Sequence, residues 1–554
     1  MTFRDPNRKA VFLIALALFV SMHAVRATDN NGVVQGVVKN SSGQAVSGAF
    51  VKFKNAERRL TFMVISQAQG LYTADKLPPG NYALQGVGNG FQSQWSAPVD
   101  VAAGKTAKLD LSLTAPQAPP LPNAWPHRIP EEEAGNSPLP EGEGKPLVAT
   151  RCAACHTLDW VTRTRFDRKS WESMIEDMRE VMKNRGVRGL TEDEAKVILN
   201  YLAANYPPMP TPDPNSRLPR TLMKGDAMKY RVVEYDLVAT ESSTHDIASD
   251  PWGHGWANMR YAPGRLGHFD PDTLQYSEAI PPTAKGQTPR LGNLQISSNG
   301  VVWLPEGTER RWLSYDIKAE KWTSYPFPST IRGGSGGNSL AIGPDGMIYG
   351  SGPGSVRMLN PETKEWKSFD SPSAKQNPGG YGLTVAGDGS VWLAEEYANK
   401  MLRVEPATGK VEEFKIPMQE EAFPRRLGAD AEGNLWVGLW RAGKLMKIDY
   451  KTKQMTMYDP PTPRNGAYTV SVDKTRNWVW VSLHRADKIA RFNPKTQEWV
   501  EFPLPQAETD VRRIEVDKSN PNRIWWSSAG GTTAGTTGGE FDGGARMGFI
   551  EILN

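Results

Sequence analysis

The sequence predicts a multidomain, mainly β chain: a small β-sandwich, an all-α unit and a seven-bladed β-propeller. Three observations carry this. The C-terminal part repeats at a period of roughly 40 residues, with four strand-like segments in each repeat. Gly 52, Pro 43 and Trp 18 describe many turns and many packed aromatics, which suits short strands joined by tight loops. Both cysteines lie in one short stretch, "RCAACHTLDW", inside the single region whose apolar spacing is helical.

Residues 1–27 read as a secretory signal. Arg4, Arg8 and Lys9 form a positive n-region, residues 10–20 an apolar h-region, and Val25-Arg26-Ala27 a small-residue cleavage site. The apolar run is short for a bilayer span, which needs about 20 residues; an uncleaved N-terminal anchor is the other reading. No other stretch is long and apolar enough for a membrane helix, so a periplasmic location with no membrane span in the mature chain is expected. The 65 Lys+Arg nearly balance the 61 Asp+Glu. The signal removes four of the bases and one acid, so no basic excess remains to attract nucleic acid.

Residues 33–114 alternate apolar and polar, with turn signals between: "GVVQGVVKNSSGQAVSGAFVKFKN", then "LYTADKLPPGNYALQGVG" around a Pro-Pro-Gly turn. Through Gly36, Gly43, Val46, Gly48, Ala49, Val51, Gly70, Tyr72, Leu77, Pro78, Gly80 and Tyr82 the segment resembles the carboxypeptidase regulatory-like module, a transthyretin-like β-sandwich. That resemblance implies a structural or docking piece without catalysis. Residues 115–145 are rich in Pro, Glu and Gly and read as a linker, part of it stiff polyproline II.

Residues 146–208 are helical in pattern. Trp171, Met174, Ile175, Met178, Val181 and Met182 share one helical face, and Gly186 is a stop. Thr191 with Glu194 forms a capping box for a second helix that ends at Pro207-Pro208. Cys152-Ala153-Ala154-Cys155-His156 fits C-x-x-C-H, the attachment motif of c-type haem. Two thiols three residues apart each bond one vinyl carbon, and the adjacent imidazole faces the iron. A Cys152–Cys155 disulfide is the other chemistry open to an oxidising compartment, while zinc would need further Cys or His ligands. The pattern C-x-x-C-H … W-x(6)-M … G … E-x-x-x-I-x-x-Y-L is similar to small class I-like cytochrome c domains of periplasmic quinohaem and related dehydrogenases. The resemblance implies Met178 as the second axial ligand, with Met182 next. Such a domain carries one covalent haem c and passes electrons; without a Met ligand the iron would be open to peroxide.

Residues 230–554 hold the repeats, as in "NLQISSNGVVWLPEGTERRWLSYDIKAEKWTSYPFP" and "RLGADAEGNLWVGLWRAGKLMKIDYKTKQMTMYDPP". Degenerate units begin near His245 and Val511, and the last lacks a fourth strand. The orphan strand at residues 230–237 is expected to close the ring as the outermost strand of that last blade. Residues 382–404, "GLTVAGDGSVWLAEEYANKMLRV", resemble the streptogramin (virginiamycin B) lyase family within the strictosidine-synthase and gluconolactonase-like propellers. In that lyase a His at the head of an innermost strand acts with a nearby Glu and a bound magnesium ion. Here Glu395 follows the matching Trp, and Tyr381 stands where the His would fall.

The heads of innermost strands supply His245, Asn293, Asn338, Tyr381, Arg425, Arg426, Tyr468, Arg512 and Arg513. The ends of second strands supply Glu306, Glu395, Trp440 and His484. Of these, His245, Glu306, Glu395 and His484 are the catalytic candidates, with a divalent metal in the funnel as one reading and a water-filled polar channel as the other. His254 and His268 read as ordinary surface residues. No quinone-docking tryptophan repeat and no GxGxxG on a βαβ unit is present.

The function expected is a periplasmic oxidoreductase component. The propeller binds a small-molecule substrate or a redox partner, and the haem hands electrons to a partner such as another cytochrome. A metal-dependent lyase with an accessory cytochrome and a non-catalytic electron-transfer scaffold are the alternatives.

Overall fold

The computed structural model describes residues 31–120, 139–154, 158, 161, 167–184, 188–207, 213–237, 244–259, 264–284, 287–331, 337–376, 378–419, 421–528 and 545–553. Strands dominate; three α-helices are described, all between the sandwich and the propeller. No described helix is long and apolar enough to cross a membrane.

The N-terminal sandwich has two sheets. In one, Gly32–Asn40 pairs with Leu71–Leu77 and runs parallel to Thr106–Lys108 and Leu111–Leu113. The other is built on Phe50–Asn55, Leu60–Ile65 and Gly80–Gly88. Alternation along these strands sends Val34, Val38, Phe53, Tyr72, Tyr82 and Leu84 into the space between the sheets, each at most 1% exposed. The predicted linker is ordered at its start: Ala115–Pro116 adds a strand beside Phe91–Gln92, and the buried Gln117 amide donates to the Asn215 and Leu218 carbonyls. Little of residues 115–120 is therefore free spacer; residues 121–138 lie outside the described residues.

Helices α1 (Lys145–Arg151), α2 (Arg168–Asn184) and α3 (Glu192–Asn205) share one apolar cluster that includes Val148, Trp171, Ile175, Ile198, Leu202 and Tyr206. The capping box is formed as expected: Glu194 N–H donates to Thr191 Oγ1 at 3.2 Å, and Thr191 N–H to the Glu194 carboxylate at 3.0 Å. The Trp171 indole donates to the Tyr206 carbonyl and ties α2 to the end of α3.

Six separate four-stranded antiparallel sheets follow, and a seventh blade forms one end of a larger sheet. Blade 1 is Thr244–Ser249, Gly255–Met259, Arg265–Phe269 and Tyr276–Ala279. Blades 2 to 6 repeat the pattern, starting at Gln295, Leu340, Leu383, Pro424 and Ala467. Blade 7 is Val511–Val516, Arg523–Ser528, Arg546–Ile552 and the early strand Tyr230–Asp236. Innermost strands of successive blades touch in order, and that of blade 7 touches blade 1 again, so the ring is closed. Second-strand tryptophans wedge the blades apart: Trp392, Trp436, Trp480 and Trp525 have no exposed surface. Several indoles are fixed by the turn before them, with Trp256, Trp436 and Trp525 donating to Asp250, Asp430 and Asp517 at 3.0, 3.0 and 2.9 Å.

The early strand closes the ring as the outermost strand of blade 7, as expected, but its outer edge is not left open. That edge pairs with Leu60–Ile65 of the sandwich, from Arg231 opposite Val64 to Tyr235 opposite Leu60. One ten-stranded sheet thus runs from the sandwich through blade 7. The junction removes two exposed sheet edges at once, each of which would offer unpaired backbone groups to another chain. Val232, Val233 and Met63 are buried along it, and so is Glu234, whose two carboxylate oxygens have no hydrogen-bond partner at bonding geometry.

Candidate functional site

The funnel site is assembled by four consecutive blades, 5, 6, 7 and 1, to which blade 4 adds Tyr381 and Glu396. In each of the four, the pairing of innermost with second strand slips near its start: at Pro424/Leu427, Ala467/Val470, Val511/Arg513 and Thr244/Ile247. Such a bulge breaks the in–out alternation, so neighbouring side chains turn to the same side. The slips coincide with Arg425-Arg426, Tyr468-Thr469, Arg512 and His245-Asp246. Second-strand side chains pin the bulges: Asn258 Oδ1 accepts the amides of His245 and Asp246 at 3.2 and 2.7 Å, and Ser482 Oγ that of Thr469 at 3.1 Å.

Two buried clusters result, joined by two tyrosines. In the first, Arg426 Nη2 lies 2.6 Å from Asp246 Oδ1 and 3.1 Å from His245 Nδ1. With Arg426 donating to Nδ1, the His245 Nε2 hydrogen points to Tyr381 Oη, 3.1 Å away. The Tyr381 and Tyr468 hydroxyls are in direct hydrogen-bond contact. In the second cluster, the Tyr468 ring stacks on His484 with centroids 4.8 Å apart. The Trp440 indole donates to His484 Nδ1 at 3.2 Å, so the other ring nitrogen carries the hydrogen that meets Asp510. Burial pushes the His484 pKa down to about 4 against the pull of Asp510, so the ring is neutral at physiological pH. Asp510, though buried, is held far below the usual carboxylate range by Arg512, 3.0 Å away, and by His484.

Arg425 differs from its neighbours. Its guanidinium is 7% exposed, yet it makes no hydrogen bond and no contact ion pair among the described residues. It lies 4.3 Å from the Tyr381 ring centre, 4.5 Å from Phe423 and 5.3 Å from both Trp440 and Tyr468. These four aromatics form their own buried cluster and give the cation a π-lined bed without neutralising it. The nearby Glu396 is pushed up to about 7 by burial, with Arg425 opposing, and its Oε2 has no hydrogen-bond partner.

The four catalytic candidates therefore separate. His245 and His484 belong to one network. Glu306 does not reach it: its carboxylate accepts from the Thr308, Glu309 and Arg290 amides and from Arg311, capping a turn of blade 2. Glu395 points into the seam between blades 3 and 4, near Ser371, Lys400 and Glu413, where burial pushes it up to about 7. Its neighbour Glu396 holds the funnel position, because adjacent strand residues face opposite ways. Asp246, Asp510 and Glu396 went unnoticed in the sequence; an acidic neighbour beside each strand-head His or Arg was the available signal. Asp246 and Asp510 are taken up by Arg426 and Arg512, so these two carboxylates do not fit a divalent cation in the funnel. Asn293 and Asn338, from blades 2 and 3, contact each other through the Asn338 carbonyl and take no part in the network.

Residues 293–541 match the model of the virginiamycin B lyase family, and residues 33–114 that of the carboxypeptidase regulatory-like domain. A streptogramin B lyase structure superposes with TM-score 0.50 at 20% identity, covering 59% of this chain and 100% of that one. Virginiamycin B lyase from Staphylococcus aureus gives TM-score 0.48 at 18% identity, with the same coverage. No curated protein matches the chain. The C-terminal region is thus a lyase-like propeller in fold, and the N-terminal region a regulatory-like sandwich.

The predicted haem ligands lie apart from the funnel residues in the chain. Cys152 follows α1, half-buried, and burial pushes its thiol up to about 11, which makes it a poor nucleophile or zinc ligand at neutral pH. It packs on the three-helix cluster together with Met174 of α2. Met178 is half-buried and Met182 is 6% exposed. Cys155 and His156 lie outside the described residues. Of the expected haem-binding residues, Cys152 touches this apolar cluster, while Met178 and Met182 are not among its members.

Proposed function

We propose that the chain is an exported redox protein in which a haem c on the three-helix unit works with an anion-binding propeller funnel. One observation carries the reading: the only two cysteines of the sequence stand in a C-x-x-C-H motif whose first residue, Cys152, follows α1 and touches an apolar cluster shared with Met174 of α2. Cys152 and Cys155 would hold the group covalently, and His156 with Met178, or Met182 in its place, would supply the iron's protein ligands. When bound, the haem supplies a one-electron couple.

The funnel supplies binding. Arg425 would recognise a carboxylate or comparable anion, and Tyr381, Phe423 and Trp440 would pack against its organic part. His245, Tyr381 and Tyr468 form a path along which a proton can move between neighbouring atoms. An acceptor such as another cytochrome would take the electrons.

The test has two parts. Untagged protein made in a host that attaches haem c should show a Soret band and a c-type pyridine haemochrome that survives acid–acetone extraction; the double variant Cys152→Ser, Cys155→Ser should lose the covalent link. Reduction of the haem by small organic acids should disappear in Arg425→Met while the haem spectrum stays unchanged. A colourless protein sinks the redox reading. Turnover of a cyclic ester that needs added magnesium would favour the lyase reading, which rests on the match at residues 293–541.

A further inference from the structure

Blade 1 departs from blades 4 to 6 at two positions that meet in space. In blade 5, Asp430 accepts the Trp436 indole, Asn434 closes the turn onto Asp430, and Lys447 stands opposite the Trp. In blade 4, Arg403 stands opposite Trp392 and pairs with the turn acid Asp388 at 2.9 Å. Blade 6 again has Arg491 opposite Trp480. Blade 1 keeps the acid, Asp250, and the Trp256 that donates to it, but carries His254 where blade 5 has Asn434, and His268 where blades 4, 5 and 6 have Arg403, Lys447 and Arg491. The change removes the cation that stands opposite the Trp, and Asp250, with no exposed surface, makes no ion pair among the described residues.

The three side chains converge. His254 Nδ1 lies 2.9 Å from His268 Nε2, and an Asp250 oxygen completes a set within 4.8 Å of one another. Asp250 Oδ1 already accepts the Trp252 and His254 amides, while Oδ2 takes only the indole and keeps a lone pair. Each imidazole has a partner behind it. Ser277 Oγ is 3.0 Å from His268 Nδ1, which leaves Nε2 free of the ring hydrogen; Asp270 lies 4.0 Å from His254 Nε2. Such outer partners fix tautomer and orientation in metal sites. Two nitrogens on a tetrahedral ion at about 2.05 Å stand about 3.3 Å apart, so the pair needs to open by only a few tenths of an ångström.

We propose that Asp250, His254 and His268 bind a divalent transition metal of the zinc type, with water in the remaining position. The ion supplies the positive charge that Arg403 provides in blade 4. The site is separate from the funnel: Asp250 lies five residues beyond His245 on the innermost strand, about 16 Å at strand rise. Imidazole and carboxylate donors suit zinc, copper or nickel over magnesium or calcium.

The test uses the untagged full-length protein, stripped with chelator and titrated calorimetrically with zinc chloride alone. One equivalent should bind with micromolar or tighter affinity and raise the thermal midpoint. His254→Ala and His268→Ala should each weaken binding at least tenfold. His268→Arg restores the pattern of blade 4 and should fold normally while binding no zinc at this site. Asp270→Asn should weaken binding about tenfold, the usual effect of an outer partner. Unchanged zinc binding in both histidine variants, loss of binding in the funnel variant His484→Ala alone, or no binding at micromolar zinc would each overturn the assignment.

Discussion

Glu234 sits at the junction between sandwich and propeller, 1% exposed, on the strand shared by both. Burial raises its pKa from 4.5 to about 8, because Arg546, Lys52 and the Gln506 amide favour the charge less than desolvation opposes it. The folded chain therefore holds a proton that the unfolded chain releases above pH 4.5. Stability is unaffected below that point, falls by about 1.4 kcal/mol per pH unit up to pH 8, and is flat beyond. Glu234→Gln keeps the shape and removes the titration. The stability difference between variant and wild type should grow in favour of the variant by about 3.5 kcal/mol between pH 5 and pH 8, the slope easing near each pKa. Guanidinium unfolding of both proteins across that range, followed by tryptophan fluorescence, measures it. A difference that stays constant with pH would refute the claim that this carboxyl is buried uncompensated.

His484, held near 4, should show no ring titration by NMR between pH 5 and pH 8. Because its folded pKa lies below the ordinary 6.5, it costs stability only as pH falls from 6.5 towards 4. Trp436→Phe removes the indole that Asp430 accepts and should cost about 1–3 kcal/mol in chemical unfolding. Thr191→Ala breaks the capping box of α3 and should cost about 1 kcal/mol, read as an approximately fivefold faster amide exchange at Glu194.

Local signals determined much of this protein. The period of the repeats, the turn acids and the Trp-bearing second strands specify blades without reference to anything distant, because each blade satisfies its own backbone within a single unit. The capping box of α3 is equally local, and so is the C-x-x-C-H motif. Residue type and strand position were enough to nominate His245, Arg425 and His484. Tertiary structure decided what these residues do together. The bulges that turn His245 and Asp246 to one side are breaks in pairing, and alternation alone put Glu395 where Glu396 stands. The sandwich joins the propeller because two unpaired edges, far apart in the chain, satisfy each other's hydrogen bonds, and neither edge announces its partner. His254 and His268 lie fourteen residues apart, and only the antiparallel pairing of two strands brings their rings together.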